Sequence, residues 1–115
     1  MKVALLGRTK SLIDTAKLLL DSDHEVVSIL TAKEVSEYNF TSNDFSRYAK
    51  RIGIPFKHST TESDYFDFLK DSNAEIALSV NFPKILSQGV IDLFPYGILN
   101  AHGGDLPRYR GNACQ

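Results

Sequence analysis

Apolar positions along this chain fall into two rhythms, short unbroken runs and spacings of three and four. Residues 2–6 form an apolar run entered by Lys2 and closed by Gly7, which predicts a buried strand. Over residues 11–21, Leu12, Ile13, Ala16, Leu19 and Leu20 recur at the period of an amphipathic helix. Residues 25–31 hold Val26, Val27, Ile29 and Leu30 and predict a second strand. Residues 32–43 are polar without a period and read as a loop. Phe45, Tyr48, Ala49 and Ile52 then share one helical face over residues 44–52, and Gly53 stands where a glycine commonly ends a helix. A short extended piece follows at 55–57. Residues 61–70 open with capping-type residues and carry Tyr65, Phe66, Phe68 and Leu69 at helical spacing, a core-facing set. An apolar run at 75–80 predicts a strand. Residues 83–94 read as a helix with Pro83 tolerated at its start. Residues 97–101 are the last strand, and the Gly-, Pro- and Arg-rich stretch 102–111 is a loop.

Strands alternating with helices define an α/β fold. The expected architecture is a Rossmann-like open sheet, mainly parallel, with helices on both faces. Such sheets take ligands beyond the carboxyl ends of their strands, which singles out the loops after Leu6, Val80 and Ala101. With no internal repeat or linker, residues 1–115 are one domain. Asn112 is a good helix cap and residues 113–115 resemble a first helical turn, so the domain is expected to be truncated, a fragment of something longer.

Composition narrows the partners. Thirteen basic residues face fourteen acidic ones, a net charge of −1, without the basic excess of a nucleic-acid binder. No run approaches the ~18 apolar residues of a membrane span, and the amino terminus lacks a secretory signal's longer apolar stretch. One cysteine, Cys114, cannot form an internal disulfide, which suits the cytoplasm. It has no metal-ligand spacing and reads as a small buried residue. His24 and His58 are expected at the surface. No metal is expected.

The chemistry concentrates near the carboxyl terminus. Asn100 and His102 lie two apart at a strand end, so alternation aims them the same way. A carboxamide can donate to a developing oxyanion, and an imidazole can move a proton near neutral pH. The pair suits acyl transfer, although an Asn-x-His in an arbitrary strand is more often structural. Gly103 and Gly104 let backbone pass close to a ligand. Pro107 stiffens the loop, and Arg108 and Arg110 bring permanent charge ahead of Gly111.

The whole segment, Asn100-Ala101-His102-Gly103-Gly104-Asp105-Leu106-Pro107-Arg108-Tyr109-Arg110-Gly111, closely resembles the signature of formyltransferases that use 10-formyltetrahydrofolate. That superfamily includes methionyl-tRNA formyltransferase, glycinamide ribonucleotide transformylase and the sugar N-formyltransferases. Asn81-Phe82-Pro83-Lys84-Ile85-Leu86-Ser87 resembles the family loop that receives the pterin ring. The resemblance implies that Asn100 and His102 are catalytic and that Phe82, Lys84, Ile85 and Leu86 border the folate. It implies the same of Gly104, Asp105, Leu106 and Pro107. Both glycines and Asp105 depart from the Ser-Leu-type loop of the tRNA enzyme, which leaves backbone roles there. The family's third catalytic residue, an aspartate further downstream, has no counterpart in these 115 residues. Alone they are expected to give no turnover.

The resemblance also frames the acceptor. Lys33, Glu34 and Glu37 make the segment after the second strand slightly acidic, unlike the basic loop that a tRNA contact requires. The wording from Gly103 to Asn112 is closest to the sugar N-formyltransferases. An amino sugar linked to a nucleotide is therefore the first expectation, held by Arg8, Gly103, Arg108 and Arg110. Glycinamide ribonucleotide ranks next and methionyl-tRNA last. A non-catalytic, truncated Rossmann-like binding module is the alternative class. Gly7-Arg8-Thr9 reads as a plain turn before a phosphate contact, lacking the further glycines of a dinucleotide fingerprint. An incomplete sheet would expose an edge and favour association, so a homo-oligomer fits the same reading.

Overall fold

The computed structural model describes residues 1–32, 41–80, 82 and 86–101. Among these run β1 (Lys2–Gly7), α1 (Lys10–Asp21), β2 (Glu25–Thr31), α2 (Ser42–Ile52), β3 (Phe56–His58), α3 (Glu62–Ser72), β4 (Ile76–Val80), α4 (Gln88–Ile91) and β5 (Ile98–Ala101). The strands form one sheet in the order β3-β2-β1-β4-β5, and every pairing is parallel. The chain winds one way from β1 through β2 to β3, then crosses back to lay β4 on the other side of β1. Strand order therefore reverses between β1 and β4.

β1 is central, and from Val3 onward every residue of it is buried. A strand with no solvent face needs apolar side chains at consecutive positions. Alternation sends Val3 and Leu5 to one face and Ala4 and Leu6 to the other. The first face packs against Leu12, Ile13 and Ala16 of α1 and Phe45, Tyr48 and Ala49 of α2. The second packs against Tyr65 and Leu69 of α3 and against Val90, Ile91 and Phe94. Helices thus cover both faces.

Several expectations shift. Leu20 lies outside the helical stripe and is 43% exposed, because the buried side of α1 follows Leu12, Ile13 and Ala16. α2 starts at Ser42, inside the stretch read as loop, where the Asp44 carboxylate accepts the Thr41 backbone N–H at 2.8 Å. That contact satisfies an amide at the helix entrance. The short extended piece is a strand, Phe56–His58, paired with β2.

Of the helix expected over 83–94, the described residues form α4 only over Gln88–Ile91. Ser87 is extended (φ −73°, ψ 162°) and caps α4. After Ile91 the chain goes into turns that bring the Gly97 amide onto the Phe94 carbonyl at 2.9 Å. Pro95 offers no amide to continue a helix, and Gly97 takes φ +79°. Residues 83–85 lie outside the described residues.

Gly53 ends α2 with φ +76°, the left-handed geometry that glycine adopts without a Cβ penalty. Phe45, Tyr48 and Tyr65 are buried as expected, while Phe66 and Phe68 are partly buried against the second core. His58 is exposed and bonds Thr31 Oγ1 at 2.9 Å. No described helix is long and apolar enough to cross a membrane.

Candidate functional site

The carboxyl ends of β1, β4 and β5 form one crest. Gly7 pairs with Val80, and Val80 pairs with Ala101. One row below, Leu6, Ser79 and Asn100 stand side by side. Neighbouring strands are about 4.8 Å apart, so Leu6 and Asn100 are separated by roughly 10 Å across β4. Asn100 lies two residues beyond Ile98, which belongs to the second core. Alternation therefore puts the half-buried Asn100 at the upper margin of that face.

The reversal of strand order falls inside this crest. Gly7 is tightly enclosed there. A Cβ on Gly7 would run into the Val80 carbonyl oxygen and come within 3.2 Å of both Leu12 methyl carbons. The absent side chain lets β1 turn into α1 directly against β4. Arg8 and Thr9 follow at once. Thr9 is the N-cap residue of α1, but its side chain makes no capping bond. It is only 7% exposed. Among the described residues, Thr9 Oγ1 and Arg8 Nε are buried without a hydrogen-bond partner. Buried polar atoms ordinarily find partners, because an unmet one costs about 1–3 kcal/mol. These two atoms belong to adjacent residues just after β1, beside the β1/β4 switch point.

After β4 the chain passes Phe82 and returns through Leu86 and Ser87. Both Phe82 and Leu86 are half-buried and pack against the second core. The Phe82 ring meets Tyr65 edge-on, with centroids 5.9 Å apart and planes at 87°. Burial pushes the Tyr65 phenol up from its ordinary pKa, and the Glu62 carboxylate adds to the shift. Ser87 Oγ donates to Glu62 Oε2 at 2.9 Å and accepts the Val90 N–H at 3.3 Å.

The fold therefore brings Arg8, Phe82, Leu86 and Asn100 to one end of three adjacent strands. Asn81, Lys84, Ile85, His102, Gly103, Gly104, Asp105, Leu106, Pro107, Arg108, Arg110 and Cys114 lie outside the described residues. Among the described residues no group of three His, Cys, Asp or Glu side chains could hold a metal ion. Sequence reasoning missed Glu62 as the partner of Ser87 and Tyr65 as the partner of Phe82. A serine just before Gln88-Gly89-Val90-Ile91 was a legible helix-cap signal; the contact of Glu62 with Ser87 had none.

Comparison with known proteins assigns the lineage. The formyl transferase family model matches residues 1–115. A methionyl-tRNA formyltransferase from Buchnera aphidicola is 28% identical over 117 residues, covering 96% of this chain and 36% of that protein. Another from Akkermansia muciniphila is 38% identical over 76 residues, covering 64% of this chain and 24% of its own. This chain thus spans little more than a third of such relatives. A phosphoribosylglycinamide formyltransferase structure from Anaplasma phagocytophilum superposes with TM-score 0.67 at 16% identity, over 93% of this chain and 52% of that one. That likeness shows a shared fold. With a family model matched from the first residue to the last, this chain belongs to the formyl transferase family.

Proposed function

We propose that this chain supplies the formyl-donor side of a site that moves a formyl group from 10-formyltetrahydrofolate to an amine. The observation that carries the reading is the position of Asn100. It stands at the carboxyl end of β5, level with the β1/β4 switch point, in a chain matched throughout by the formyl transferase model.

The residues divide the work. The donor supplies an activated one-carbon group. The Asn100 carboxamide donates a hydrogen bond to the formyl oxygen of the bound donor, and that bond strengthens as the oxygen gains negative charge in the transition state. His102 takes the proton that the amine gives up. Phe82 and Leu86 offer half-buried apolar surface to a flat ring, and Lys84, Ile85 and the stretch 104–107 complete that border. Arg8, with its unpartnered buried Nε, joins Gly103, Arg108 and Arg110 in holding an anionic part of the acceptor.

For the acceptor we favour an amino sugar carried on a nucleotide, supported by the slightly acidic segment 33–39 and the two unmet polar atoms beside the switch point. The names of the sequence relatives favour a second reading, methionyl-tRNA, and those of the structural neighbours a third, glycinamide ribonucleotide. A cytoplasmic location accords with all three. The test is release of tetrahydrofolate from 10-formyltetrahydrofolate by the protein carrying this chain, with each acceptor in turn. Faster release with the nucleotide-linked amino sugar supports the proposal. Release with charged tRNA alone replaces the acceptor, and no release with any acceptor overturns the reading.

A further inference from the structure

α3 turns two side chains toward the segment after β4. Glu62 and Tyr65 are three positions apart, so they share one face of the helix. Tyr65, 1% exposed, holds the Phe82 ring edge-on at 5.9 Å. Glu62 Oε2 accepts the Ser87 hydroxyl proton at 2.9 Å, across 25 positions of sequence. Phe82 stands two residues beyond the last residue of β4, and Ser87 stands immediately before α4. One helix face therefore holds both Phe82 and Ser87.

The Ser87 grip is doubly used. The hydroxyl gives its proton to Glu62 and receives the Val90 N–H at 3.3 Å. The Ser87 carbonyl accepts the Val90 and Ile91 amides at 3.1 and 3.0 Å. A shift of Glu62 thus moves the start of α4 as well as the end of the loop. Glu62 is exposed and is the first residue of its helix. A hydrogen bond in that setting contributes little net stability, because water replaces either partner. Its larger effect is on order: a side chain already held in place loses less freedom when a ligand settles beside it.

We infer that Glu62 and Tyr65 are positioning residues for the formyl donor, setting the places of Phe82 and Ser87 without touching the ligand. This rests on the folate role proposed above for Phe82 and Leu86. The contact of Glu62 with Ser87 is the adjustable half, since Tyr65 also fills the core and its loss would disturb the fold.

The experiment is calorimetric titration of the chain with 10-formyldihydrofolate, alongside thermal unfolding. Glu62→Ala should weaken binding about fivefold while Tm stays within about 2 °C. Glu62→Gln keeps an acceptor for the Ser87 proton and should restore most of the affinity. Ser87→Ala should weaken binding similarly, and the double variant should be no weaker than Ser87→Ala, as expected for two residues acting through one contact. Equal affinity of Glu62→Ala and the unaltered chain overturns the inference and leaves the folate reading standing. No binding by the unaltered chain overturns both.

Discussion

Replacing Gly7 by alanine probes the junction on which the whole crest depends. Gly7 is not in the left-handed region, which among the described glycines is occupied by Gly53 and Gly97. Its requirement is for space. The added methyl would collide with the Val80 carbonyl oxygen, a backbone atom in β4, and press on both Leu12 methyls at 3.2 Å. Leu12 can adjust by a few tenths of an ångström. The Val80 carbonyl cannot, because Val80 is held by β1 on one side and β5 on the other. Either β1 and β4 part at their carboxyl ends or the β1–α1 turn lifts off. Overpacking of this kind costs about 1–3 kcal/mol, and a backbone obstacle places Gly7→Ala near the top, about 3 kcal/mol. For a domain of this size that corresponds to a fall in Tm of roughly 12 °C. Urea unfolding followed by far-ultraviolet circular dichroism measures the free energy, and a thermal scan measures Tm. The expected change is a lower midpoint with an unchanged slope. A Gly7→Ala chain within about 0.5 kcal/mol of the parent would refute the close approach of β1 to β4.

Three further outcomes follow from the same geometry. Gly53→Ala meets open space but a φ of +76°, so it should cost only about 1 kcal/mol by urea unfolding, well below Gly7→Ala. Phe45→Ala empties a fully buried site in the first core and should cost about 3–5 kcal/mol, read the same way. The Thr41 backbone N–H, followed by Arg47, holds the Asp44 carboxyl below its ordinary pKa. A carboxylate depressed in the folded state stabilises it near neutrality, and that contribution fades as pH falls through the lowered pKa. Protection of the amides at the start of α2, measured against their intrinsic exchange rates, should therefore fall at acid pH, and Asp44→Asn should remove that acid step.

Sequence patterns carried the strands and helices because buried parallel strands need near-continuous apolar runs: Val3–Leu6 is unbroken, and Val26–Leu30 and Ala77–Val80 are each broken by one buried serine, Ser28 and Ser79. Boundaries set by single side chains were harder. α2 begins at Ser42 through the Asp44 contact with the Thr41 amide, which an apolar period cannot register. The stretch 83–94 looked helical throughout, yet the described α4 begins only after the extended cap Ser87 and gives way to turns before Pro95. The place of Asn100 near the carboxyl end of β5 was legible because it depends only on strand register. The unmet Arg8 Nε and Thr9 Oγ1 were not, since burial of a polar atom depends on how β1, β4 and α1 close around it. Nor was the grip of α3, which joins residues 25 apart in sequence.

The central claim is that Asn100 serves a formyl donor seated at the carboxyl ends of β1, β4 and β5. Its most direct test is titration of the unaltered chain and of Asn100→Ala with 10-formyldihydrofolate, which carries the formyl group the carboxamide is proposed to meet. One-to-one binding that weakens about tenfold in Asn100→Ala, with Tm unchanged, is the predicted result. Binding that is indifferent to Asn100→Ala, or no binding by the unaltered chain, would contradict it.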